Sequence, residues 1–243
     1  TTDFTLTHRY LDDSPTNTAQ DIYTIGLTVT DDDLGTSSDT TTVTVDNAAP
    51  VLADLLTTAI DENGTTTLTG TINDPSPLDT FTLNVNWGDP DSPNNLETYP
   101  FEAGTTDFTL THRYLDDSPT KTTQDIYTIG LTITDDDLGT SSDTTNVTVN
   151  NVAPVLAELL TTVIDENGTT TLTGTINDPS PLDTFTLNVD WGDPDSPNNL
   201  ETYPFEAGTT DFTLTHRYLD DSPRWTMEDI YTIGLTVTDD DLG

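Results

Sequence analysis

The chain of 243 residues has no cysteine, one methionine, three histidines and only five lysine and arginine residues together. Without thiols there is no cysteine nucleophile and no disulfide, so an oxidising environment adds no covalent staple and the fold must rest on core packing or bound ions. The shortage of cationic side chains excludes the basic patch that nucleic acid requires. No apolar run approaches the ~18 residues of a membrane-spanning helix, so no span is expected in this segment. Aromatic residues are scarce, at 7%.

Acid is what the chain has instead. Asp and Glu total 44, giving a formal net charge of -39, and Asp far outnumbers Glu. Asp is a turn former and a ligand as well as a solubilising residue. Thr makes up about a quarter of the sequence, and a β-branched residue at that level favours strands over helices. The apolar fraction of 32% with so high a charge leans towards disorder by composition alone; the periodicity of the sequence overrides that reading.

The segment Thr-Thr-Asp-Phe-Thr-Leu-Thr-His-Arg-Tyr begins at Thr1, Thr105 and Thr209, a period of 104 residues. A period this long is a whole domain and not a solenoid unit. The Pro-containing linkers ending at Pro50 and Pro154 set the phase. Residues 1–48 are then the C-terminal part of one repeat, 49–152 a complete repeat, and 153–243 a repeat lacking its last strand, as expected of a window from a longer array. The copies diverge mainly where Thr120-Lys121-Thr122-Thr123-Gln124 becomes Arg224-Trp225-Thr226-Met227-Glu228, a candidate contact loop.

Alternating apolar and polar residues mark the strands. Phe81, Leu83, Val85 and Trp87 share one face, as do Phe108, Leu110, His112 and Tyr114, and Tyr127, Ile129, Leu131 and Ile133. With segments near Leu52–Leu56, Leu68–Ile72, Leu96–Phe101 and Val147–Val149 the middle repeat has about seven strands. Turn signals such as Asn63-Gly64 and Gly88-Asp89-Pro90 separate them. Seven short strands in about 100 residues predict an all-β, antiparallel, immunoglobulin-like sandwich.

Three segments carry a resemblance. Val85-Asn86-Trp87-Gly88-Asp89, His112-Arg113-Tyr114-Leu115-Asp116-Asp117 and the run from Asp125 through Asp135-Asp136-Asp137-Leu138-Gly139 resemble, in order and spacing, the signature segments of the PKD domain, an immunoglobulin-like module of surface proteins. The likeness covers essentially the whole repeat. It departs at Pro90, where that family usually has Gly, and in a longer loop over 91–95. The resemblance implies a tandem array of PKD-type sandwiches, a stalk, spacer or adhesion role at the cell surface or outside it, and no catalytic activity.

In this strand order one tip of the middle repeat gathers Asn73, Asp74, Asp79, Asp135, Asp136 and Asp137, with Asp46 and Asn47 of the linker. The equivalent residues of the next copy are Asn177, Asp178, Asp183, Asp239, Asp240 and Asp241. The opposite tip carries Asp61, Glu62, Asp89, Asp91, Asp116 and Asp117, with Asp165 and Glu166 in the next copy. Carboxylates gathered so closely repel unless a cation joins them, and hard oxygen ligands on loops suit Ca²⁺. The pattern is not an EF-hand. The other reading of these residues is a set of solvated turn aspartates, which a high-salt habitat would also favour.

Asn63, Asn146 and Asn167 each begin an Asn-x-Thr glycan acceptor, although Asn-Gly at two of them is also a hairpin turn. His8, His112 and His216 recur once per repeat beside a Tyr and read as core or sheet-edge residues, and no catalytic constellation is legible. Two functions compete. One is an extracellular rod, stalk or fibre whose partners are neighbouring repeats, other copies and glycans, stiffened by Ca²⁺ at acidic junctions. The other is a polysaccharide- or protein-binding accessory module of a secreted enzyme, against which stands the lack of exposed aromatic residues.

Overall fold

The computed structural model describes residues 2–14, 16–118, 120–221 and 227–242. The divergent residues Arg224, Trp225 and Thr226 lie outside the described residues. Every regular element among the described residues is a strand. The chain divides into two compact units that cut across the 104-residue period. One holds residues 1–58, 67–112 and 127–146; the other holds 59–66, 113–126 and 147–243. Residues of the first repeat thus gather with one end of the middle repeat, and the third repeat gathers with the other end.

The first repeat contributes the hairpin β1 (Gln20–Thr30) and β2 (Thr36–Asp46), paired without interruption from Gln20 opposite Asp46 to Thr30 opposite Thr36. The middle repeat contributes β3 (Val51–Thr57), β4 (Ile60–Asp61), β5 (Thr65–Asn73), β6 (Phe81–Asn86), β7 (Leu96–Phe101), β8 (Asp107–Arg113), β9 (Gln124–Asp135) and β10 (Thr140–Asn150). They form a three-stranded sheet, β3-β5-β8, and a five-stranded sheet, β4-β10-β9-β6-β7. The two-residue β4 is absent from the expected set and pairs parallel to β10, Ile60 beside Val149. The third repeat contributes β11 (Val155–Thr161), β12 (Thr169–Asn177), β13 (Phe185–Asp190), β14 (Leu200–Phe205), β15 (Asp211–Arg217) and β16 (Gly234–Asp239), in sheets β11-β12-β15 and β14-β13-β16.

Period-two alternation sets what each strand buries. Along β6, Phe81, Leu83 and Val85 are buried while Thr82, Asn84 and Asn86 face water. Along β9 the same alternation buries Ile129, Leu131, Ile133 and, at its end, Asp135. β5 carries Gly70 where its neighbours leave no room: a Cβ there would stand 2.5 Å from Phe108 Cζ and 2.7 Å from Leu55 Cδ2. β3 and β11 each shift register once, at Ala53/Leu56 and Ala157/Leu160. Asp54 and Glu158 there hold φ of 51° and 52°, a conformation that marks β-bulges.

Trp87 is the centre of the middle repeat's core, wholly buried, with its Nε1–H donating to Glu97 Oε2 at 2.8 Å. Glu97 Oε2 also accepts from the Tyr99 hydroxyl at 2.5 Å. Gly88, next to Trp87, has φ +72° and faces the Thr128 carbonyl so closely that a Cβ would come within 2.4 Å of it. The third repeat repeats the arrangement at Trp191, Glu201 and Gly192.

Candidate metal centre

Loops place the acidic residues and strand periodicity decides which of them point inwards. β5 ends with Ile72 buried and Asn73 exposed, so Asn73 faces away from the residues that follow it. The turn after β5 is closed by Asp74 Oδ1, which accepts the Ser76 amide at 2.8 Å. Asp79 follows, 1% exposed. At the end of β9, Asp135 Oδ1 accepts the Gly139 amide at 2.6 Å and its Oδ2 accepts Asn47 Nδ2 at 2.9 Å. Asp136 Oδ1 accepts the Thr80 amide at 2.7 Å.

These residues group in threes. Carboxylate oxygens of Asp74, Asp79 and Asp135 lie within 4.8 Å of one another, as do those of Asp79, Asp136 and Asp137, and those of Asp12, Asp13 and Asp137. Residues 12 and 13 come from the first repeat, the others from the second. The Ser76 hydroxyl, 3.4 Å from Asp12 Oδ1, adds a polar link between the two segments.

The second unit holds the same arrangement 104 residues on. Ser180 N donates to Asp178 Oδ1 at 2.8 Å, Ser180 Oγ donates to Asp116 Oδ1 at 3.2 Å, and Thr184 N donates to Asp240 Oδ1 at 2.8 Å. Asn151 Nδ2 donates to Asp239 Oδ2 at 3.1 Å. Glu62 joins this cluster, grouped both with Asp178 and Asp183 and with Asp116 and Asp117. Its Oε1 accepts the Val152 amide at 2.8 Å.

Most of the inward carboxylate oxygens have no donor. Both oxygens of Asp79, Asp117 and Asp183 are buried without a hydrogen bond, as are Glu62 Oε2, Asp13 Oδ2, Asp74 Oδ2, Asp178 Oδ2 and the amide oxygen of Asn151. Buried polar atoms are ordinarily paired, and leaving one bare costs about 1–3 kcal/mol, more when charged. Burial, reinforced by neighbouring carboxylates, pushes the Glu62 carboxyl up to about 8, Asp117 to about 7 and Asp137 and Asp241 to about 6. Burial raises Asp79 and Asp183 in the same direction. Asp240 goes the other way: burial raises it, but the Thr184 amide and Lys121, whose Nζ is 3.6 Å from Asp240 Oδ2, hold it below the usual carboxylate range. Each cluster is a set of inward-facing carboxylate oxygens which, among the described residues, have only Lys121 as a cationic side chain in ion-pair range; oxygen ligands of this type are those that hard divalent cations take.

Several expected residues stand elsewhere. Asn73 and Asn177 are exposed at strand ends, and Asn73 Nδ2 reaches only Thr71 Oγ1 at 3.5 Å. Asp61 is exposed and accepts Asn150 Nδ2 at 3.3 Å, while Asp165 and Glu166 are exposed. Asp89, grouped by sequence with the acidic tip, is instead 2% exposed and its Oδ2 lies 2.9 Å from His112 Nε2. Asn151, the counterpart of linker residue Asn47 one 104-residue period on, adds an inward amide oxygen that the period already pointed to. Among the glycan acceptors, Asn63 and Asn167 sit in left-handed turns at φ 59° and 61° and bond to Arg113 and Arg217. Asn146 is exposed on β10 and its Oδ1 accepts the Thr128 hydroxyl at 3.0 Å.

A shallow depression of about 740 Å³ lies on the outer face of the five-stranded sheet around Gly130, edged by Asn86, Leu96, Thr98, Thr132 and Ser142. No helix among the described residues is long and apolar enough to cross a membrane.

No protein-family model matches the chain, and no curated protein matches it. Among solved structures it is similar to a crystal structure of a tetra-tandem repeat in the extending region of a large adhesion protein, at 18% identity and a TM-score of 0.44. The match covers 91% of this chain and 57% of that one, so the chain spans little more than half the length of that structure.

Proposed function

We propose that the chain is a non-catalytic structural segment of an extracellular or cell-surface protein, a tandem array of PKD-type seven-stranded sandwiches bounded at 48/49 and 152/153, joined and stiffened by Ca²⁺ at acidic clusters. The observation that carries this is the set of bare, buried carboxylate oxygens at Asp79, Asp117 and Asp183, each in a cluster that draws residues from two consecutive repeats. An array of such repeats makes a rod, stalk or fibre whose reach grows with repeat number, and whose partners are neighbouring repeats and other copies. Asn63, Asn146 and Asn167 are the proposed glycan acceptors.

The accessory-module reading has the depression around Gly130 as its site. Its lining has no aromatic side chain, and a second depression, of about 880 Å³, has Tyr218 and Tyr231 among acidic residues; the structural reading rests on the acidic clusters and not on the pockets.

The test is calorimetric melting of the chain in EDTA, in millimolar Ca²⁺ and in millimolar Mg²⁺ at fixed ionic strength. A ligand that binds only the folded state raises the melting temperature. A large rise with Ca²⁺ alone is expected. Equal melting in all three would reduce the aspartates to a solubility or salt adaptation.

A further inference from the structure

Asp79 has a place in two ligand groups at once. One is Asp74, Asp79 and Asp135, all from the middle repeat; the other is Asp79, Asp136 and Asp137. Asp137 in turn groups with Asp12 and Asp13 of the first repeat. Both Asp79 oxygens are buried and without a donor, so one is free for each group.

Size argues against a single ion. Oxygens around Ca²⁺ stand ~2.3–2.6 Å away, so two ligands of one ion are at most about 5 Å apart. Each group of three, with its oxygens within 4.8 Å, is compact enough to share one ion, and the groups on Asp136 and Asp13 meet at Asp137. Charge argues the same way. The three groups together hold seven carboxylates, Asp12, Asp13, Asp74, Asp79, Asp135, Asp136 and Asp137. One divalent cation leaves most of that charge uncompensated in a buried place. A carboxylate shared through its two oxygens is the usual bridge of paired metal sites, with ions roughly 3.5–4 Å apart.

Resting on the calcium reading above, we infer that the first acidic cluster holds a pair of Ca²⁺ ions bridged by the fully buried Asp79, and that Asp183, its counterpart 104 residues on with both oxygens likewise buried and bare, bridges a pair in the second. The two ions have different jobs. The inner ion, on Asp74, Asp79 and Asp135, ties together two loops of one repeat. The outer ion, on Asp79, Asp136 and Asp137 and extended by Asp12 and Asp13, ties one repeat to the next. In the second cluster Glu62 adds a further link between repeats, since it groups with Asp178 and Asp183 on one side and with Asp116 and Asp117 on the other.

Native mass spectrometry and equilibrium dialysis of the intact chain with Ca²⁺ count the ions, and mixed loading with Tb³⁺ and Eu³⁺ reports energy transfer between neighbouring sites. Two ions per cluster, with Tb³⁺-to-Eu³⁺ transfer, is the expected result. The Asp79→Asn, Asp183→Asn double variant, which keeps the side-chain shape but offers only one oxygen per bridge, is expected to lose half of the bound ions and the transfer signal, while Ca²⁺ still raises its melting temperature. One ion per cluster with full Ca²⁺ stabilisation overturns the pair and leaves the single-ion reading standing. No bound Ca²⁺ and no change in melting overturns both. Wild-type counting and energy transfer decide the matter even where the variant does not fold.

Discussion

Trp87 lies flat against His112, with ring centroids 4.8 Å apart and planes 12° from parallel, and the same stack recurs between Trp191 and His216 at 14°. Asp89 holds His112 there through its Oδ2, and Asp193 holds His216 at 3.1 Å. His112 and His216 are therefore packing elements whose one polar edge is satisfied inside the core, whereas His8 of the first repeat, read from sequence as a core or sheet-edge residue, is exposed. Asp89→Ala removes that acceptor and is expected to cost about 1–3 kcal/mol. Asp89→Asn keeps an oxygen in place and is expected to cost much less. Urea titrations of the two variants measure the difference, and an unchanged midpoint for Asp89→Ala would contradict the role assigned to the pair.

Stability without divalent ions should fall as pH rises. Glu62, Asp117 and Asp137 have folded-state values of about 8, 7 and 6, all above their unfolded values. The folded chain therefore holds protons that the unfolded chain releases, and by linkage stability declines with pH in that interval. The contribution is complete below about pH 4 and is lost progressively up to about pH 8. Urea midpoints in EDTA at pH 5, 6.5 and 8 are expected to decrease in that order. Saturating Ca²⁺, which binds the deprotonated groups, is expected to flatten the profile. A midpoint in EDTA that rises from pH 5 to 8 would show that these carboxylates are solvated.

Two glycines on strands of the middle repeat should respond oppositely to alanine. At Gly70 the new methyl group would overlap Phe108 and Leu55, and overpacking of this kind costs about 1–3 kcal/mol. At Gly130 the nearest heavy atom is Asn86 Cβ at 3.9 Å. Gly130→Ala is expected to be neutral or slightly stabilising, because glycine weakens a strand interior. Thermal melts of the two variants check the contrast.

Asn146 presents its amide on an exposed strand face. Secretion from a glycosylating host is expected to give a mass heavier than the polypeptide, and Asn146→Gln is expected to remove one glycan's increment. An intact mass equal to that of the bare chain would remove all three acceptor assignments.

The strands were legible because alternation is a local property. Phe81, Leu83 and Val85 could be placed on one face by counting, and they are buried together. The two-residue β4 was not legible, because a parallel pair between Ile60 and Val149 depends on where the two segments arrive in space. The site divides in the same way. Asp74, Asp79 and Asp135–Asp137 stand in loops that the strand order sends to one end. Asn73 belongs to the strand itself and takes the outward phase opposite Ile72. Asp61 and Glu62 are consecutive, and only Glu62 turns in to meet the Val152 amide. Asp89 looked like one more loop aspartate because its partner His112 is 23 residues away.

β2 and β10 differ only at Thr42/Asn146 and Asp46/Asn150, and β1 and β9 share their whole sequence from Gln20 to Thr28 with Gln124 to Thr132. The repeats are built from interchangeable parts. A refolding chain has no local chemistry by which β9 can tell β10 from β2, so a strand of one copy can close the sheet of another. Misassembly between neighbouring domains is a characteristic failure of repeat proteins. What distinguishes correct closure is order along the chain, since each hairpin's two strands are separated by a short turn and meet first. Folding fidelity in this protein is thus a matter of timing, and diluting or lengthening the turns between β1 and β2 or β9 and β10 would erode it before it eroded the finished structure.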